Sequence, residues 1–100
     1  MNSQEHLYLK LMEECAEVQQ RVSKLLQFGP KESQCTAPTN LRGDSVPKGT
    51  NRERLQEEIN DLVAIVHLLG YGLPNQQQIL AKAQKIAKYR LYSQQLGTIE

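Results

Sequence analysis

The sequence predicts an all-α chain of three main helices. Apolar residues recur three and four apart in three separate segments, which is the period of an amphipathic helix. No segment alternates apolar and polar residues in the manner of a strand. Helix-starting Asn and Thr and helix-stopping Gly punctuate the chain between the segments. At 100 residues the chain makes one small domain, spanning 1–100.

The first helix is predicted over 3–28, with Leu7, Leu11, Val18, Val22 and Leu25 as its apolar stripe and Gly29-Pro30 as its stop. Residues 29–50 hold three Pro, three Gly and no apolar period, so they read as a flexible loop. A capping box, Thr50-Asn51-Arg52-Glu53, opens the second helix. Its stripe is Leu55, Leu62, Ile65 and Leu69, and Gly70 and the YGLPN stretch at 71–75 turn the chain. Asn75 caps the third helix, which ends near Leu96 before Gly97 and has Ile79, Ala83 and Ile86 as its apolar side.

Composition narrows the function classes. Hydrophobic residues make up 39% with no Trp and one Phe, so three helices bury a thin core and a second copy is expected to complete the bundle, as a homodimer or homotetramer. A net charge of +1 gives no basis for binding nucleic acid or a membrane surface in bulk. No segment is long and apolar enough to span a bilayer, and MNSQEHLYLK lacks the apolar centre of a signal peptide, so the expected compartment is the cytoplasm. Cys15 and Cys35 form no CxxC and no disulfide framework, which agrees. Cys35 reads as an idle loop cysteine, with a reactive thiol as the alternative.

The most informative feature is an acidic phrase that occurs twice. Residues 13–18 read EECAEV and residues 57–62 read EEINDL. Positions three apart share one side of a helix, so Glu14 pairs with Glu17 and Glu58 with Asp61. Glu14 falls inside the first apolar stripe and Glu58 inside the second, while Glu17 and Asp61 lie about 60° to the same side of theirs. A carboxylate in a core stripe is costly unless it is paired, protonated or bound to a cation. Two such helices packed together gather four carboxylates, which points to a divalent-metal site; solvated flank acids are the plain alternative. All-oxygen ligation favours Mg²⁺, with Mn²⁺ as a substitute, over iron or zinc. His6 and His67 do not stand three residues after a stripe glutamate, so the Glu-x-x-His pattern of di-iron bundles is missing.

Other features carry less. Lys82, Lys85, Tyr89 and Tyr92 share one side of the third helix, suited to phosphates and a base or, more plainly, to solvent near a helix C-terminus. Lys24 lies two turns beyond Glu17 on the same side, fit for a phosphate chain or a surface ion pair. Arg42-Gly43-Asp44 reads as a loop accident. There is no Walker lysine loop, no Ser-His nucleophile arrangement and no zinc cluster.

These residues resemble the MazG family of all-α nucleoside triphosphate pyrophosphohydrolases, whose signature is EExxE followed by ExxD. Glu13-Glu14-Cys15-Ala16-Glu17 and Glu58-Ile59-Asn60-Asp61 match it, and LMEECAEVQQRVSKLLQFG, TNRERLQEEINDLVAIVHLL and KIAKYRLYSQQLGTIE are similar to small phage and bacterial members. The resemblance covers nearly the whole chain except the middle loop, which makes the Glu17-to-Glu58 separation longer than the family's usual spacing. It implies a MazG-like bundle in which Glu14, Glu17, Glu58 and Asp61 ligate Mg²⁺ and carry catalysis. It also implies cleavage of an NTP or dNTP between the α and β phosphates, giving NMP and pyrophosphate. Lys24, Lys85 and Lys88 then contact phosphates and Tyr89 borders the base, while Glu13, pointing about 100° away from Glu14, is supporting. The alternative function is a non-catalytic helical dimerisation module with a vestigial acidic site.

Overall fold

The computed structural model describes residues 1–33, 49–73 and 75–100, which form three α-helices with no strand among them. Each helix begins where its cap is chemically specified. At α1 (Ser3–Phe28) the Asn2 side chain accepts from the Glu5 amide at 2.8 Å, and the Glu5 carboxylate accepts from the Asn2 amide at 3.3 Å. At α2 (Asn51–Leu68) Thr50 and Glu53 exchange the same pair of bonds, both at 3.2 Å. At α3 (Gln76–Leu96) Asn75 and Gln78 do so at 2.8 and 3.4 Å. Gly29 closes α1 at φ 90°, a conformation open to glycine at little cost, and its amide donates to the Leu25 carbonyl at 2.8 Å. The three predicted spans therefore stand. Of the predicted flexible loop at 29–50, residues 34–48 lie outside the described residues, together with Cys35 and Arg42-Gly43-Asp44.

α1 and α2 form an antiparallel hairpin tied at both ends. At one end the Asn51 amide donates to the Glu32 carbonyl at 2.9 Å and the Arg52 amide to the Pro30 carbonyl at 3.0 Å. At the other, the Tyr8 and Tyr71 hydroxyls meet at 2.7 Å with their rings edge to face. Between the ties, Leu7, Leu11, Val18 and Leu25 of α1 pack toward Leu55, Leu62, Ile65 and Leu69 of α2, all half-buried. Val22, placed in the same stripe by its spacing, sits at the rim, 38% exposed. No apolar side chain among the described residues is fully buried; the buried ones are Arg21 and Asn51.

α3 packs on neither α1 nor α2 among the described residues. Ile79 and Ile86 of its apolar side are more than half exposed. The radius of gyration is 17.4 Å, against about 13 Å for a compact chain of this length. The physical reason is that two helices offer one shared groove, and Ile79, Ala83 and Ile86 are too sparse to displace water from a second. No described helix is long and apolar enough to cross a membrane.

Candidate metal centre

The hairpin register determines which acids meet. With α1 running one way and α2 the other, Glu14 comes level with Asp61 and Glu17 with Glu58, all on one open side of the hairpin. Ligand oxygens of Glu14, Glu58 and Asp61 lie within 4.8 Å of one another. Glu17 stands beside them, close enough for its carboxylate to raise that of Glu58. Glu14 and Glu58 are half-buried, whereas Glu17 and Asp61 are exposed at the mouth. All four acids read as site residues from the sequence are thus gathered by two helices. Glu13 points away, forming a 2.9 Å ion pair with Lys10 on the exposed helix surface.

The electrostatics follow from that crowding. Hydrogen bonding to the Glu17 carboxylate, then desolvation, then the charges of Glu17, Asp61 and Glu14 push the Glu58 carboxyl up to about 7. Desolvation, followed by the charges of Glu17 and Asp61, raises Glu14 as well. Oε2 of Glu14 and Oε2 of Glu58 are buried without a hydrogen-bond partner. Buried carboxylate oxygens with no donor are costly, and a cation answers both the missing partner and the repulsion. The donors are all hard oxygens, the set that suits Mg²⁺ or Mn²⁺. Oxygens bound to one such ion at about 2.1 Å stand about 3–4 Å apart, so the observed spread needs only small side-chain adjustments to close on it.

One turn below the acids lies a polar hub that the sequence did not announce. Arg21 is 8% exposed and Asn51 0%. The Arg21 guanidinium donates to the Asn51 side-chain oxygen at 3.0 Å. The Asn51 amide group donates to the Gly29 carbonyl at 2.9 Å and to the Glu32 carboxylate at 3.3 Å. Burial and the neighbouring Arg54 pull the Arg21 guanidinium below its usual value, and Glu58 opposes that shift. Arg21 therefore stands close enough to feel the cluster, and Asn51 fixes its position. The available signal was an Asn at the first helical position of α2, where Thr50 already fills the cap; its surplus side chain needs another task.

The remaining predicted residues are not assembled around the acids. Lys24 is on α1 with its ammonium 5.8 Å over the Phe28 ring, a cation–π contact. Lys85, Lys88 and Tyr89 lie on α3, exposed and away from the hairpin. His6 and His67 do not belong to the acidic cluster, as their spacing indicated.

The chain matches no protein-family model, no curated protein and no solved structure.

Proposed function

We propose that the chain is a Mg²⁺-dependent nucleoside triphosphate pyrophosphohydrolase of the MazG-like kind, cleaving NTP or dNTP to NMP and pyrophosphate. The observation that carries this reading is the convergence of Glu14, Glu17, Glu58 and Asp61 on one side of the hairpin, with buried, donorless oxygens on two of them. Such a site is expensive for a structural role and suited to cations that carry a polyphosphate. Glu14, Glu58 and Asp61 would hold the first ion, and Glu17 completes the set. When bound, Mg²⁺ supplies neutralisation of the triphosphate and of charge building on the attacked phosphorus. The chain's own groups supply the rest. The carboxylates fix the polyphosphate's orientation, and one that stays free of metal takes the attacking water's proton. Lys24, whose ammonium rests over Phe28, would have to swing toward the acids to meet a phosphate.

The bundle is completed by self-association, since the isolated chain leaves α3 and much apolar surface in water. In that assembly α3 brings Lys85 and Lys88 to phosphates and Tyr89 to the base. The second reading, a non-catalytic dimerisation module, draws on the same exposed apolar surface. It gives no reason to keep donorless carboxylate oxygens buried.

The deciding experiment incubates the protein with Mg²⁺ and each NTP and dNTP and separates pyrophosphate from orthophosphate. Pyrophosphate with NMP from at least one nucleotide, abolished in Glu14→Gln with helicity retained, is the expected result. No release from any nucleotide would leave the interaction module standing, and activity surviving Glu14→Gln would overturn the site assignment.

A further inference from the structure

Arg21 follows Glu17 by one helical turn, about 6 Å along α1, on the side that faces α2. The register that sets Glu17 beside Glu58 brings Arg21 level with Arg54. The buried guanidinium therefore has the Arg54 charge beside it and the Glu58 carboxyl one turn above, and both act on it. A guanidinium favours a carboxylate over a neutral amide, because a charge-assisted hydrogen bond is roughly twice as strong. Yet Oε2 of Glu58 is buried and accepts no hydrogen bond. Nη2 of Arg21 donates instead to the side-chain oxygen of Asn51, at 3.0 Å.

What keeps the guanidinium there is the way Asn51 is itself held. Asn51 is fully buried. Its side-chain amide donates to the Gly29 carbonyl at 2.9 Å and to the Glu32 carboxylate at 3.3 Å. Its backbone amide donates to the Glu32 carbonyl at 2.9 Å. Thr50 already caps α2, so Asn51 has no capping duty. With both side-chain protons committed to the end of α1, the Asn51 oxygen has a fixed direction, and that direction is Arg21. A fixed acceptor inside a protein holds a donor more firmly than a mobile one in water. The consequence falls on Glu58. A carboxylate oxygen that received the guanidinium would have no lone pair to offer a cation; the one observed is open.

We propose that Asn51 is a positioning residue for the metal centre: by engaging Arg21 it keeps the guanidinium off Glu58 and leaves that carboxylate open to a divalent cation. Without the Asn51 oxygen, Arg21 moves up one turn onto Glu58, and an arriving ion has to break that bond first. Arg21 is an internal competitor held in check rather than a ligand. The proposal rests on the divalent-cation reading of the acids and names the residue that keeps them available; it is independent of the hydrolytic reaction.

The test titrates the full chain with Mn²⁺ by calorimetry at one pH and one ionic strength, as the parent, Asn51→Ala, Arg21→Met and the double variant, with helicity checked by circular dichroism. Asn51→Ala is expected to bind Mn²⁺ about tenfold more weakly, the least that one charge-assisted hydrogen bond is worth. Adding Arg21→Met to it is expected to return the affinity to within about threefold of the parent, and Arg21→Met alone is expected to stay in that range. Damage to the scaffold is not repaired by a second deletion in the hub, so the rescue separates competition from damage. Asn51→Asp is the further variant, decisive even where Asn51→Ala fails to fold. It keeps an oxygen for Arg21 and gives up both donors, and it is expected to bind at least as tightly as the parent. A double variant as weak as Asn51→Ala, an Asn51→Ala protein with parent affinity, or a tenfold loss in Arg21→Met or Asn51→Asp would each overturn the proposal while the parent still binds. A parent that takes up no Mn²⁺ would overturn the metal centre and this proposal with it.

Discussion

Raising the pH from 6 to 8 is expected to tighten Mn²⁺ binding about tenfold, and replacing Glu58 by Gln is expected to remove most of that dependence. The magnitude follows from the geometry. The Glu58 carboxyl stands beside Glu17 and faces Asp61 and Glu14, which push it up to about 7. A cation takes the ionised form, so the proton and the metal compete. At pH 6 about one Glu58 in ten is ionised and at pH 8 about nine in ten, a ratio near tenfold in apparent affinity. Glu14 is shifted in the same direction and steepens the curve. The value reflects the cluster rather than Glu58 alone, because the neighbouring carboxylates set it. Calorimetric titration with Mn²⁺ in buffers of different ionisation enthalpy reads both quantities. About one proton is released per ion at pH 6 and almost none at pH 8. An affinity flat between pH 6 and 8, or a Glu58→Gln protein with the same slope as the parent, would refute the reasoning.

Stability should respond to pH in the opposite sense from an ordinary ion-paired acid. The folded-state value of Glu58 stands above its usual 4.5, so between 4.5 and about 7 the folded chain holds more protons than the unfolded chain and stability falls as pH rises. In a chelator, Tm is expected to be lower at pH 8 than at pH 5, with the difference reduced in Glu58→Gln; an equal drop in both proteins would show that the cluster is not its source. Asn51→Ala removes the acceptor for Arg21 and the donor to Gly29 and Glu32. With buried partners left behind, the cost is about 2–3 kcal/mol by urea denaturation, and a loss under about 0.5 kcal/mol would place the hub among surface contacts.

Helix spans and the acid cluster were legible in the sequence because both are written locally. The capping box at Thr50 and the cap at Asn75 mark two starts, and Gly29 and Gly97 mark two ends. Glu14, Glu17, Glu58 and Asp61 could be read because helical spacing alone orients each pair, and two matching pairs need only one packing event to meet. What could not be read depends on which surfaces are left over. α3 carries Ile79, Ala83 and Ile86 on one side, but spacing does not say whether the hairpin has a groove to receive them. Val22 was assigned to the inner stripe, yet it belongs equally to the exposed stripe of Tyr8, Met12, Cys15 and Leu26. An α-helix has room for two stripes about 90° apart, and a residue between them has no local marker of its side. Arg21 and Asn51 escaped for a different reason. A charged and an amide side chain read as solvated until their partners are known, and those partners come from Gly29 and Glu32, across the loop.

The central claim is that α1 and α2 join their acids around divalent cations. The most direct measurement is an anomalous difference map from crystals grown with Mn²⁺. The account predicts a peak between the two helices, with carboxylate oxygens of Glu14, Glu58 and Asp61 at about 2.1–2.2 Å and Glu17 directed at the same density. Peaks only elsewhere, or the four carboxylates turned apart into solvent at saturating Mn²⁺, would contradict it.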